Sequence, residues 1–487
     1  MKHHPAGEAM KRFIIEQSSA DIISHSGLSL IGQATKRYTH LSGQLDASVP
    51  MRHGIKHSDV IKSYLALLSI GKNDFEAING IESEFYFTSA MDIDEIPGEA
   101  TLRQRMDKHA ISFLPIVEKA SRDFLSNIQP ALRPLSTGHM PVDADVTPMD
   151  NSGSHKEGVS RTYKGHDGYA PMAVYLGQEG YCIGFELREG KQHCQKDTPA
   201  LLARALRDAQ KIAAQPLLLR LDGGNDAIEN IEVVLAHNEA HEDLPVVDFL
   251  INKWNPRRQD KADWLAIAEQ KGKWTYPREG KRVALFSVQT ARHWKGHNYS
   301  VRRVIRIIER TIDKHGQRLL VPEIDLEGWW TRLDVSEEDV IQLYADHGAS
   351  EQFHSEFKTD RDIERLPSGK LATNALVLGL SVLAYNILRW IGQNGLPGSK
   401  SPKRSKAQRR RIRTVMQEPM YVAARIIKTA RTIKISFGRS CRALQAFDAV
   451  YRKLAYGQAY RIIADKPCSM GAVRLKFVGV SFLRQPR

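Results

Sequence analysis

Cysteine is scarce: four in 487 residues, Cys182, Cys194, Cys441 and Cys468, with no pair spaced as CxxC. That excludes a zinc ribbon or a disulfide framework and fits a reducing, cytoplasmic setting. Long apolar runs are almost missing too. The charged start, MKHHPAGEAMKRF, has no apolar stretch behind it, so no secretory signal is expected. The single charge-free run, Leu371 to Leu388, carries Thr373, Asn374, Gly379, Ser381 and Asn386. It sits at the lower length limit for spanning a bilayer, and its polar content predicts a buried helix, not a membrane span. Internal repeats and low-complexity tracts are absent. Acids are the last shortage: residues 400–487 hold 22 Lys+Arg against Glu418, Asp448 and Asp465. A net charge of +14 is therefore confined to the C-terminal region, and the rest of the chain is slightly acidic.

What is present is globular composition, 42% hydrophobic and 26% charged, with length for roughly two to four domains. The densest positive run is Lys400, Lys403, Arg404, Lys406, Arg409, Arg410, Arg411 and Arg413. Arg425, Lys428 and Arg431 follow at intervals of three beside Val422, Ile426 and Ile427, which predicts a helix with a basic stripe. Such a stripe suits a phosphate backbone, and a solvated basic face accounts for it equally well.

Residues 10–110 are mainly helical in pattern, compatible with a helix-turn-helix DNA reader or a plain bundle. After Pro134 the rhythm becomes that of strands. Met140 to Thr147 reads as a strand with Asp143 and Asp145 on one face. Two further strands, Tyr169–Gly177 and Tyr181–Leu187, a helix from Pro199 to Ala214 and the almost wholly apolar run Pro216–Leu221 follow, the last ending at Asp222-Gly223-Gly224. That run reads as a strand buried on both faces. Residues 255–335 read as a mostly β insertion rich in Trp, Arg and Lys. A helix from Val335 to Lys358 and the charge-free helix after Gly369 complete the walk.

The most specific segment is Tyr344-Ala-Asp-His347-Gly-Ala-Ser-Glu351-Gln-Phe-His-Ser-Glu356-Phe-Lys358. On one continuous helix Tyr344, His347, Glu351 and Lys358 fall at about 0°, 300°, 340° and 320°, with Glu356 near about 120°. An aromatic, an imidazole, a carboxylate and an ammonium then share one stripe. An amphipathic helix with a polar side explains the same pattern.

This segment resembles the Y-x(2)-R-x(3)-E-x(6)-K signature of DDE transposases of the insertion sequence 4 superfamily, with His347 at the usual Arg. Asp145-Val146-Thr147 resembles the family's first catalytic Asp and Leu221-Asp222-Gly223-Gly224 its second. Weaker likenesses at Pro97–Arg105, Glu186–Gly190 and Leu366–Ser368 are most like the insertion sequence 1380 group. The resemblance implies an α/β, ribonuclease H-like catalytic core with a mostly β insertion, flanked by a helical N-terminal domain and a basic helical C-terminal region. The divisions are 1–120 (DNA-binding), 121–254 (core), 255–335 (insertion), 336–396 (core with the Glu helix) and 397–487 (basic region).

It further implies Asp145, Asp222 and Glu351 as catalytic metal ligands for two Mg²⁺ ions, or Mn²⁺. Tyr344, His347 and Lys358 would contact transposon-end phosphates. The basic run, represented by Arg409, Arg410, Arg411 and Arg413, is expected to grip DNA. Asp143 competes with Asp145 on periodicity, and the Asp-x-Thr pattern favours Asp145. Asp226 reads as a helix-start residue. The aromatic base platform that related enzymes use is assigned to none of Trp254, Trp264, Trp274 and Trp294. The expected partners are double-stranded DNA, as inverted repeats and as target, and a second copy of the chain, with no membrane, in a bacterial cytoplasm at the nucleoid. The activity implied is cut-and-paste transposition. A decayed copy that binds DNA without cutting it, and a free-standing ribonuclease H-like nuclease, are the alternatives.

Overall fold

The computed structural model describes residues 13–252, 260–294, 296–396 and 409–457. Five helices come first: α1 Leu28–Tyr38, α2 Leu41–Ser48, α3 His57–Ser69, α4 Glu84–Met91 and α5 Glu99–Ile128. They form no separate body, because Leu30, Tyr64 and Phe113 lie in the same apolar core as Val142 of the sheet and Leu380 of the charge-free helix. The approach of α1 to α4 needs a residue without a side chain, since a Cβ on Gly32 would lie 1.8 Å from the Ala90 carbonyl oxygen.

The large sheet and its first covering helices are built on β1 Met140–Val146, β2 Met172–Leu176, β3 Tyr181–Glu186, α6 Thr198–Ile212, β4 Leu217–Leu221, α7 Ile228–Ala240 and β5 Val247–Asn252. β2 pairs antiparallel with β1 and with β3, whereas β4 runs parallel to both β1 and β5. The resulting order is β3-β2-β1-β4-β5, and the succession of three strands, helix and buried strand is as expected. All five residues of β4 are buried, Arg220 among them, as its almost wholly apolar run predicted.

Next come α8 Asp260–Lys271, β6 Lys273–Arg278, β7 Lys281–Trp294, β8 His297–Ile312 and β9 Arg318–Thr331. These strands do not form a sheet of their own. β9 pairs antiparallel with β5, Trp330 opposite Ile251, so the insertion extends the core sheet to nine strands. Helices α9 Glu337–Ala345, α10 Ala349–Lys358 and α11 Leu371–Gly395 follow. α11 is apolar enough and long enough to cross a membrane, but it is mostly buried within the protein. Its Asn386 takes the place of a strand partner for the sheet's outer edge, accepting from the Cys182 N–H at 2.9 Å and donating to its carbonyl at 2.7 Å.

Three expectations are corrected. The stretch read as one strand from Tyr169 divides at Ala170-Pro171: Asp167–Tyr169 joins a small three-stranded sheet and β2 joins the large one. The C-terminal region is not simply helical, because Ala424–Lys428 and Ile433–Phe437 form an antiparallel hairpin. The three-residue spacing of its cations suggested a helix, yet β-branched residues alternate at Ile433 and Ile435, and Ile426 pairs with Ile435. One helix, α12 Leu444–Tyr456, does follow. The Lys400–Lys406 part of the basic run and residues beyond Gly457 lie outside the described residues.

Candidate active site

Parallel register brings the two aspartates together. Ala144 of β1 pairs with Leu221 of β4, so Asp145 and Asp222, the next residue on each chain segment, leave the same edge of the sheet side by side. The Asp222 carboxyl is held above the usual range by burial and then by the charge of Asp145, while Asn225 donates to its Oδ1 at 2.8 Å. Asp145 is anchored through Oδ1, which accepts from the Val146 N–H at 2.7 Å.

Glu351 stands in the exposed first turn of α10. That helix is set on the sheet by its opposite face. Phe357 stacks on Phe185 with centroids 4.5 Å apart, and Phe353 fills the space over Gly180, where a Cβ would lie 2.6 Å from the ring. Gly180 also has φ +73°, which glycine adopts without strain. Glu356 points inward and is fully buried against Arg389 and Arg409, as the helical projection placed it away from Glu351.

A tyrosine not anticipated as a site residue registers all three carboxylates. Tyr163 stands at the tip of the turn between the short strands Ser160–Arg161 and Asp167–Tyr169, 70% exposed. Its phenol is pushed up to about 12 by partial burial and by the negative charges of Asp145, Asp222 and Glu351.

Among the described residues no three His, Cys, Asp or Glu side chains already stand close enough to enclose a metal ion. The donor chemistry nevertheless fits Mg²⁺ or Mn²⁺: hard carboxylate oxygens, two of them at the ends of neighbouring strands, where the charge of Asp145 raises the affinity of Asp222 for positive charge.

Asp143, the rival on β1, is spent elsewhere. Arg220 of β4 grips it through two hydrogen bonds of 2.6 and 2.7 Å, and His347 Nδ1 lies 3.0 Å from its Oδ1. Burial opposes its ionisation, but Arg220 and then His347 bring the carboxyl down to about 2. Arg220 also donates to the Leu343 carbonyl at 2.7 Å, so this buried group ties β1, β4 and α9 together beneath the aspartates.

Tyr344, His347, Glu351 and Lys358 do not share one straight helix. The turn Asp346–Gly348 is wound as 3₁₀ between α9 and α10, where Gly348 weakens the α-helix. His347 is buried there and faces Asp143, which corrects its expected position on a DNA-facing stripe. Tyr344 is half-buried beside Trp329, within the field of Asp222 and Asp145. Lys358 donates to the Pro148 carbonyl at 2.7 Å, just beyond β1, and burial lowers its pKa.

The arginines expected to form one phosphate-gripping run are divided. Arg409 pairs with buried Glu356 at 2.9 Å, and Arg410 is buried, its guanidinium donating to the Leu396 carbonyl. Arg411 pairs with Asp360 at 2.8 Å and Arg413 lies 3.9 Å from the same residue, both side chains remaining substantially exposed. Asp226 pairs with Arg292 of β7 at 3.1 Å. Trp264 lies against Arg303 and Trp274 against Arg282, while Trp254 and the side chain of Trp294 lie outside what is described.

A second side chain was missed. His354, three residues after Glu351, is buried with Nε2 3.7 Å from Asp145 Oδ2. The i,i+3 spacing from Glu351 was the available signal, since it places both on adjoining turns.

A family model described as "Transposase DDE domain group 1" matches residues 9–458. A cryo-EM structure of the piggyBac transposase synaptic complex with hairpin DNA aligns with 81% of this chain and 80% of that one, at 9% identity and a TM-score of 0.37. No curated protein matches the sequence.

Proposed function

From a chain that belongs to this DDE transposase family, we propose a cut-and-paste enzyme of the insertion sequence 4 superfamily, nearest the insertion sequence 1380 group. It binds the terminal inverted repeats of its own element, hydrolyses the ends and joins the freed 3′-ends to target DNA. The observation that supports this reading is the parallel register that brings Asp145 and Asp222 to the ends of neighbouring strands, with Glu351 adding to the same negative field at Tyr163.

In this reading Asp145, Asp222 and Glu351 hold divalent cations. Such ions, when bound, supply Lewis-acid activation of the attacking oxygen and charge neutralisation at the leaving oxygen. The protein's own groups bind and orient. Tyr344 and Tyr163 offer hydroxyls at the rim. Lys358 holds the loop after β1 and lends positive charge near Glu351. Arg411 and Arg413, with the exposed cations of the C-terminal hairpin, attract the DNA backbone. The active form is a dimer paired on two DNA ends.

The test uses purified protein, Mg²⁺ and DNA carrying the element's ends. Asp145→Ala, Asp222→Ala and Glu351→Ala each abolish cleavage and retain end binding. Wild-type protein that binds the ends but leaves them intact marks a decayed copy and overturns the enzyme reading. Cleavage that survives Glu351→Ala but not Glu356→Ala overturns the assignment of the third carboxylate.

A further inference from the structure

His354 is used by nothing described so far, and its setting is unusual. Its ring lies between the sheet and α10, buried, with Tyr175 of β2 on one side and Asp145 of β1 on the other. Nδ1 is 3.4 Å from the Tyr175 hydroxyl. Nε2 has no hydrogen-bond partner and is 3.7 Å from Asp145 Oδ2. A buried polar nitrogen without a partner is costly, so its persistence beside a carboxylate calls for a physical reason.

The two oxygens of Asp145 differ in a matching way. Oδ1 is held by the Val146 N–H, and Oδ2 is the oxygen that faces the imidazole. A side-chain shift of less than about 1 Å brings Nε2 and Oδ2 within hydrogen-bond distance. With Nε2 turned toward the Asp145 carboxylate, the tautomer that carries its hydrogen on Nε2 leaves Nδ1 to accept from the Tyr175 hydroxyl, which burial keeps protonated.

We propose that His354 is a positioning residue for Asp145, its Nε2–H donating to Oδ2 and fixing the carboxylate's orientation toward the bound cation, with the Tyr175 hydroxyl donating to Nδ1. The inference rests on reading Asp145 as a cation-holding residue. It assigns to this helix a second role beyond delivering Glu351, because one turn carries a ligand and the next orients a ligand on the sheet. Partners of this outer kind are worth roughly 10–100-fold in metal affinity.

The experiment measures Mn²⁺ binding to the full chain by calorimetry, without DNA, alongside thermal unfolding and end cleavage. His354→Phe, which fills the space without a donor, weakens Mn²⁺ binding about ten-fold or more. His354→Gln, which keeps an N–H, stays within a few-fold of wild type, and Tyr175→Phe falls between the two. His354→Phe binding Mn²⁺ as wild type does overturns the proposal. So does His354→Gln losing as much affinity as His354→Phe, because the imidazole would then act as something other than a donor. Wild-type protein that binds Mn²⁺ yet leaves DNA ends uncut defeats the transposase reading and leaves His354 in its role; wild-type protein that binds no Mn²⁺ defeats both.

Discussion

Asp143 and Asp145 stand two residues apart on one face of β1, and only their neighbours separate their roles. Asp143 meets Arg220 and His347 in a dry interior. Asp145 meets Asp222, a like charge that raises the pKa of the Asp222 carboxyl. The pairing of Asp143 carries a pH signature. Its folded carboxyl titrates at about 2, against about 3.9 for an unfolded aspartate. The stabilisation it contributes is present above about pH 4 and is lost as the pH falls toward 2. Denaturant melts between pH 5 and pH 2 should therefore show a steeper fall in stability for wild type than for Asp143→Asn, in which only the other carboxyls of lowered pKa, such as Glu82 and Glu337, still contribute. That variant is also weaker at pH 7, by about 3–5 kcal/mol, because it leaves Arg220 buried beside a neutral amide. Equal midpoints at pH 7 would rule out the pairing as a structural device.

At the scale of elements, α10 delivers Glu351 through the face it hides. Phe353 over Gly180 and Glu356 between Arg389 and Arg409 set its height and rotation. Gly180→Ala places a methyl against the Phe353 ring at a left-handed φ, and the expected loss is about 1–3 kcal/mol in chemical unfolding. Glu356→Gln leaves two guanidinium groups facing a neutral side chain, one of them fully buried, and destabilises by about 3–5 kcal/mol. Glu351→Gln leaves stability almost unchanged and removes cation binding. An unfolding midpoint for Glu356→Gln equal to that of Glu351→Gln would contradict this division. The helix and its apolar face were legible in sequence because i,i+4 spacing is a local property. The 3₁₀ turn at Asp346–Gly348 was not, because a single Gly does not say whether a helix continues, bends or tightens.

For the whole molecule, charge is the property most changed by folding. Among the described residues the C-terminal excess includes a cation held by a buried carboxylate of the protein, Arg409 on Glu356, and exposed ones on the hairpin, Arg425, Lys428, Arg431 and Lys434. Each phosphate contact contributes about −0.9 to the slope of log K against log salt. Replacing Lys428, Arg431 and Lys434 with Gln should flatten that slope by up to about 2–3 in a titration with end DNA. Arg409→Gln should instead lower the unfolding temperature and leave the slope nearly unchanged. The reverse pattern would restore the expectation that the arginine run itself grips DNA.

Sequence alone determined what depends on neighbours along the chain: the buried strand ending in Asp222, the strand bearing Asp145, the helix bearing Glu351 and the polar helix face opposite Phe353. These are readable because periodicity and turn chemistry act over a few residues. Tertiary structure decided which charges meet. Arg220 finds Asp143 from 77 residues away, His354 reaches Asp145 from another element, and the insertion joins the core sheet through Trp330 and Ile251. Such pairings depend on register and on burial, which lowers the dielectric around the few groups it encloses, and neither can be read from the order of residues.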